Sequence, residues 1–156
     1  MDRLKDREDG PDFWRWIEEH QRSDEGNPLF DTFFLLEKAT GRVVATGSIV
    51  ADDRGVGKTY RIEGAWIGGI NVRGEYRGRN LGRVLLSVLH RHVQEIADRS
   101  GAEVIVNLFT SPDLGRSFYE PEYQRFRTVV TSFGESVCYR RVFRPGRREG
   151  AGHHDG

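Results

Sequence analysis

The chain has 156 residues, with 24 Lys+Arg balanced by 24 Asp+Glu. That is the length of one domain with a real core, and a neutral balance weighs against nucleic acid as the main partner. No apolar run reaches the roughly 20 residues of a bilayer span, and the charged stretch Met1–Gly10 is unlike a secretory leader. A lone Cys138 with no Cys/His ligand spacing predicts neither an intramolecular disulfide nor a metal site, so a cytoplasmic protein without membrane attachment is expected.

In chain order, Asp2–Lys5 reads as a short strand. A helix follows from Pro11 or Asp12 to about Arg22, with Phe13, Trp16 and Ile17 at helical spacing. Asp31–Glu37 and Val43–Ala51 read as a hairpin turning at Thr40-Gly41, and Asp52–Lys58 as a polar loop. Tyr60–Val72 reads as the next strand, with a bulge or close backbone approach at Gly68-Gly69. A long helix from about Asn80 to Arg99 carries an apolar stripe of Leu81, Leu85, Val88, Leu89, His92 and Ile96, and Gly101 is its C-cap. Val104–Phe109 is nearly all apolar, as in a strand buried on both faces, so strand, helix and strand form a βαβ unit with parallel strands. Ser111-Pro112 opens a helix to about Glu120, and Arg125–Thr131 with Ser136–Phe143 forms a last hairpin. The fold class is therefore α+β, with a mixed, mostly antiparallel sheet. Residues 1–143 form the domain, and 144–156 an Arg/Gly/His-containing disordered tail.

The segment from Ile70 to Leu86 is the most telling. A strand-like run ends in a glycine-bearing loop with Arg77, Arg79 and Arg83 and opens directly into the long helix. The first amides of a helix lack intrahelical acceptors and carry the positive end of its dipole, so the arrangement suits a phosphate or pyrophosphate. It lacks the three glycines of the dinucleotide fingerprint. Gly55-Val56-Gly57-Lys58-Thr59 has no glycine at Asp52 and no helix after it, so it is not a P-loop.

These features together resemble the GCN5-related N-acetyltransferase (GNAT) superfamily. Tyr76-Arg77-Gly78-Arg79-Asn80-Leu81-Gly82 is similar to the family's loop Y-R-G-x-G-x-G, with Asn80 in place of the central glycine. Asn tolerates positive φ, so the loop shape is expected to survive. The resemblance implies a splayed pair of strands beside the loop and binding of acetyl-CoA as cosubstrate, with no metal. Its pyrophosphate would lie on the loop residues Arg77, Gly78, Arg79, Asn80, Leu81, Gly82 and Arg83, and its pantetheine arm along the strand end Ile70, Asn71 and Val72. It also implies a small-molecule or protein amine as acceptor, and dimers are common in the family.

Acetyl transfer to an amine needs deprotonation of the amine, polarisation of the thioester and a proton for the leaving thiolate. The resemblance makes Tyr119 the acid. Glu63, taken to lie on the strand before the loop, is the candidate base, with an ordinary solvent-facing residue as the equal alternative. Asn107 either contacts ligand or satisfies a neighbouring backbone group. Where the family often has an Asn seven residues before the Tyr, this chain has Pro112. The expected function is N-acetylation of a primary amine by direct attack in a ternary complex. Asn80 and Pro112 keep open a module that binds acyl-CoA without efficient turnover.

Overall fold

The computed structural model describes residues 31–50, 61–131 and 134–146. The strand expected at Asp2–Lys5, the helix at 11–22 and the loop at 52–58 lie outside them.

Strands β1 (Asp31–Leu36) and β2 (Val43–Val50) form the first antiparallel hairpin. Its turn closes at Gly41, where φ is +71° and the N–H donates to the Glu37 carbonyl at 2.7 Å. A left-handed residue costs glycine little there. β3 (Ala65–Val72) pairs antiparallel with β2 and is followed by α1 (Leu81–Ser100). β4 (Val104–Thr110) then leads through the turn α2 (Pro112–Leu114) and a π-helical segment, Gly115–Tyr119, to the hairpin β5 (Gln124–Thr131) and β6 (Gly134–Phe143). Among the described residues the sheet has six strands in the order β1-β2-β3-β4-β6-β5, and β3–β4 is its one parallel pair. The expected α+β class and the parallel crossover are both observed.

α1 forms where its stripe can be buried. Leu86, Leu89, Val93, Ile96 and Ala97 enter the main core with Ile49, Ile67, Val106, Leu108 and Tyr139, and Leu85 is buried over Gly47. The buried arc is turned slightly from the expected one. Val88 is 37% exposed and Leu81 and His92 are half-buried, while Leu86 and Val93 point inward. Gly101 ends the helix in the left-handed conformation, its N–H on the Ala97 carbonyl at 2.9 Å, as a C-cap should.

Three features of β3 and β4 shape the region beside α1. First, β3 begins at Ala65, not at Tyr60. Arg61 and Gly64 have φ of 56° and +118°, which breaks the extended chain. A Cβ on Gly64 would lie 2.7 Å from Asn107 Nδ2 and 2.9 Å from the Ile105 carbonyl, so only glycine permits this approach. Second, β3 and β4 pair only at Ala65↔Val106 and Trp66↔Asn107, and then part. This is the splayed pair. Third, β3 carries an extra residue against β2, since Ser48 faces Gly68 and Thr46 faces Asn71. The bulge falls at Gly69-Ile70, one position from the expected Gly68-Gly69.

Ser111 caps the segment after β4 by accepting from Leu114 N at 3.4 Å, with Pro112 at its first position. The helix expected to Glu120 widens instead into π turns. Gly115 sits against Tyr139, leaving no room for a Cβ, and Tyr139 donates to Glu120 Oε2 at 2.9 Å. Arg144–Gly146, placed in the tail from sequence, are held to α1. Gln94 donates to the Arg144 carbonyl at 2.7 Å, and Gly146 N donates to Asp98 Oδ1 at 2.7 Å. Residues 147–156 lie outside the described residues.

Candidate active site

The link from β3 to α1 is a 3-10 turn, Gly74–Tyr76, and a loop that Asn80 brings to an end. Gly78 has φ +81°, and Asn80 has φ 58° and ψ 22°. Asn80 thus adopts the left-handed shape expected of the glycine it replaces. The Val84 amide is the first to bond back within the helix, to the Asn80 carbonyl at 3.1 Å. The amides of Leu81, Gly82 and Arg83 therefore have no intrahelical acceptor and carry the helix's positive end. A cavity of about 220 Å³ lies here, lined by Val72, Tyr76 and Arg77 from the loop's entry, Asn80 to Arg83 from the helix start, and Phe118.

The arginines frame this cavity rather than fill it. Arg77 Nε donates to the Val72 carbonyl at 3.2 Å. Arg79 lies over the Tyr76 ring at 5.3 Å, and Arg83 over Phe118 at 4.5 Å while donating to the Ser117 carbonyl at 3.3 Å. Gly82 packs 3.7 Å from both Ile70 and Phe118 at the position of a Cβ, so helix start, strand end and π segment meet at one point. The strand end Ile70, Asn71 and Val72 runs past the splay, with no β4 residue paired to it. Phe118 and Tyr76 were given no role from sequence. The signal for Phe118 is its adjacency to Tyr119, and that for Tyr76 its place at the head of the loop motif.

Tyr119 is 8% exposed in the main core, with edge contacts to Phe118 at 4.7 Å and Tyr123 at 5.8 Å between ring centroids. Burial pushes its phenol up to about 12. No hydrogen bond to its hydroxyl is found among the described residues.

Glu63 is placed differently from expectation. It precedes β3 rather than lying in it, because Gly64 turns the chain, and its side chain is exposed. It stands on the closed side of the β3–β4 pairing, away from the loop. Its backbone matters more here: the Glu63 carbonyl accepts from Asn107 Nδ2 at 2.7 Å and from Arg140 at 3.4 Å. Asn107, fully buried, also donates to the Ala65 carbonyl at 3.4 Å and accepts from Arg140 Nε at 3.0 Å. Of its two expected readings, backbone satisfaction is the one observed.

Behind Tyr123 lies a second titratable group. His90 Nε2 and the Tyr123 hydroxyl are 2.7 Å apart, with Arg141 Nη1 at 3.3 Å and Glu122 Oε2 at 3.6 Å from Nδ1. Burial, then the Arg141 charge, pulls His90 down to about 4. No cluster of His, Cys, Asp and Glu suited to a metal occurs among the described residues, and no helix among them is long and apolar enough to cross a membrane.

A family model described as the acetyltransferase (GNAT) family matches residues 1–120. Comparison with curated protein sequences finds no match. Among solved structures, the chain is similar to an aminoglycoside 6'-N-acetyltransferase complexed with coenzyme A, at 16% identity over 88% of this chain and 83% of that one, with a TM-score of 0.57. It is also similar to the ribosomal-protein-S18-alanine N-acetyltransferase from Escherichia coli, at 14% identity over 90% and 94% of the two chains, TM-score 0.56. A chain of the NatB acetyltransferase complex bound to CoA and MES gives 19% identity over 72% of each chain, TM-score 0.55. At these identities the likeness is one of fold.

Proposed function

The chain belongs to the acetyltransferase (GNAT) family, and from that premise we propose that it transfers acetyl from acetyl-CoA to a primary amine by direct attack in a ternary complex. One observation carries this reading. β3 stays extended to Val72 after β4 has left it at Trp66, and then delivers the chain into a left-handed Asn80 and the bare amides of α1. An extended arm with a pyrophosphate at one end matches both parts of that surface. The amides from Arg77 to Arg83 are assigned to the pyrophosphate, and the backbone of Ile70, Asn71 and Val72 to the arm. That both structural neighbours named with CoA share this fold adds support.

Acetyl-CoA supplies the activated acyl group as a thioester. Tyr119 is assigned the proton for the departing sulfur. Its raised pKa, about 12, keeps the phenol protonated at neutral pH, and its hydroxyl is not committed to another described residue. It donates a hydrogen bond to the charge that develops there and gives its proton to sulfur as the C–S bond breaks; the proton that the amine loses as the C–N bond forms passes through solvent and restores the phenol. Glu63 receives no role in this proposal, because it stands beyond the closed end of the pairing. The acceptor is a small-molecule or protein amine.

The test is release of free thiol from acetyl-CoA across a panel of amines. Turnover with at least one amine is expected, and Tyr119→Phe is expected to lower kcat about 100-fold with CoA affinity intact. Full turnover by Tyr119→Phe would remove that residue from the chemistry. CoA binding without thiol release for any amine would leave an acyl-CoA-binding module in place of the enzyme.

A further inference from the structure

The loop that frames the cavity is fastened from outside by the β1–β2 turn. Tyr76 donates to Glu37 Oε2 at 2.5 Å, across a sequence separation of 39 residues. Glu37 is itself held, since Thr40 Oγ1 donates to its other oxygen at 2.8 Å. Beside it, Arg42 and Glu75 form an ion pair at 3.2 Å. The backbone beneath is bound as well: Arg73 N donates to the Val44 carbonyl at 2.9 Å, and buried Arg73 Nε to the Val43 carbonyl at 2.6 Å. Tyr76 ends the 3-10 turn, lines the cavity, and carries Arg79 on its ring. Fixing its hydroxyl therefore fixes the course of the loop from Gly74 to Asn80.

We infer that Glu37 is a positioning residue for the donor site: through Tyr76 it latches the loop in its binding shape and so sets the affinity for CoA. This rests on the reading that the loop binds CoA. The hydroxyl and Thr40 both favour the ionised carboxylate and hold Glu37 below the usual carboxylate range, so at neutral pH the latch is charge-assisted.

The sign of the effect separates a latch from a bare charge. A carboxylate beside an anion site repels the anion, so removing it should tighten binding if charge alone mattered. The latch requires the opposite. CoA dissociation constants measured by calorimetry for wild type, Tyr76→Phe, Glu37→Ala and the double variant decide the matter. Each single change is expected to weaken CoA binding about five-fold, and the double to weaken it no further than the larger single, since both remove one bond. Under the same latch kcat of Glu37→Ala at saturating donor stays at the wild-type value while KM for the donor rises, a split that general loosening of the fold would not give. Tighter or unchanged binding in Glu37→Ala, or singles whose effects multiply, would overturn the latch while leaving the donor reading intact. A wild-type protein that binds no CoA would overturn both.

Discussion

The two ends of the β3–β4 pair are built on opposite principles. At the closed end, Ala65 and Trp66 pair with Val106 and Asn107, and the fully buried Asn107 amide ties the Glu63 and Ala65 carbonyls and Arg140 together. At the open end, six residues on, Val72 has left β4 and its loop shows unpaired helix amides to a cavity. A buried polar side chain is costly unless satisfied, and satisfied it specifies one arrangement. The closed end uses that to fix where the strands meet. The open end leaves hydrogen-bonding capacity unspent, which is what a ligand of extended shape needs. Stability concentrated at one end permits incompleteness at the other.

The comparison breaks most visibly if its fixed end is removed. Asn107→Leu should cost about 3 kcal/mol, because it takes a donor from the buried Ala65 carbonyl, leaves the Glu63 carbonyl to Arg140 alone and loosens Arg140. Urea unfolding measures this, and a loss below about 1 kcal/mol would mean that the strands meet for other reasons. Gly115→Ala should cost about 2 to 3 kcal/mol, since its methyl would intrude on the buried Tyr139 ring. It also perturbs the π segment whose Phe118 lines the open end, so CoA affinity should fall with stability.

Above the carboxylate range, acid sensitivity should come from neither end. His90 falls from its usual 6.5 to about 4 in the fold, so between those values the unfolded chain takes up the proton and the folded chain does not. Stability is therefore full above about pH 6.5 and drops as pH falls to about 4. The loss is on the order of 2 kcal/mol, reduced by the solvent that reaches the ring. His90→Gln should flatten that limb in unfolding curves taken across the window. Smallest is the open end's own strain. Asn80→Val, a β-branched residue at φ 58°, should cost about 1 kcal/mol and weaken CoA binding, whereas Asn80→Gly should match wild type in both.

Sequence patterns revealed local features well. The 3.6-residue period located α1 to within a residue at each end, Gly41 and Gly101 marked their turn and cap, and the loop from Tyr76 to Gly82 was legible because each residue there answers a backbone demand. Long-range features were less visible. Nothing in the sequence sets Arg61, Ile62 and Glu63 apart from an extended run, whereas the positive φ of Arg61 and the close approach of Gly64 to Asn107 keep Glu63 out of the strand. The π segment arose from the packing of Gly115 on Tyr139, 24 residues later, which no local spacing records. Glu37 carried no signal at all, since its partner lies on another element.

The extra residue at Gly69-Ile70 has a consequence for how this strand tolerates change. Ile67 and Ile70 both pack with the main core although they differ in parity, which a regular strand forbids. The bulge resets the count, so everything from Ile70 to Val72 is read in a shifted frame. Deleting one residue there would remove the bulge and return the strand to simple alternation, with Ile70 two positions from Ile67 on the same face and Asn71 still opposite Thr46. The extra residue therefore adds a local bend rather than a register, and a one-residue deletion at the bulge would act on the donor site through that lost bend and not through a change of face.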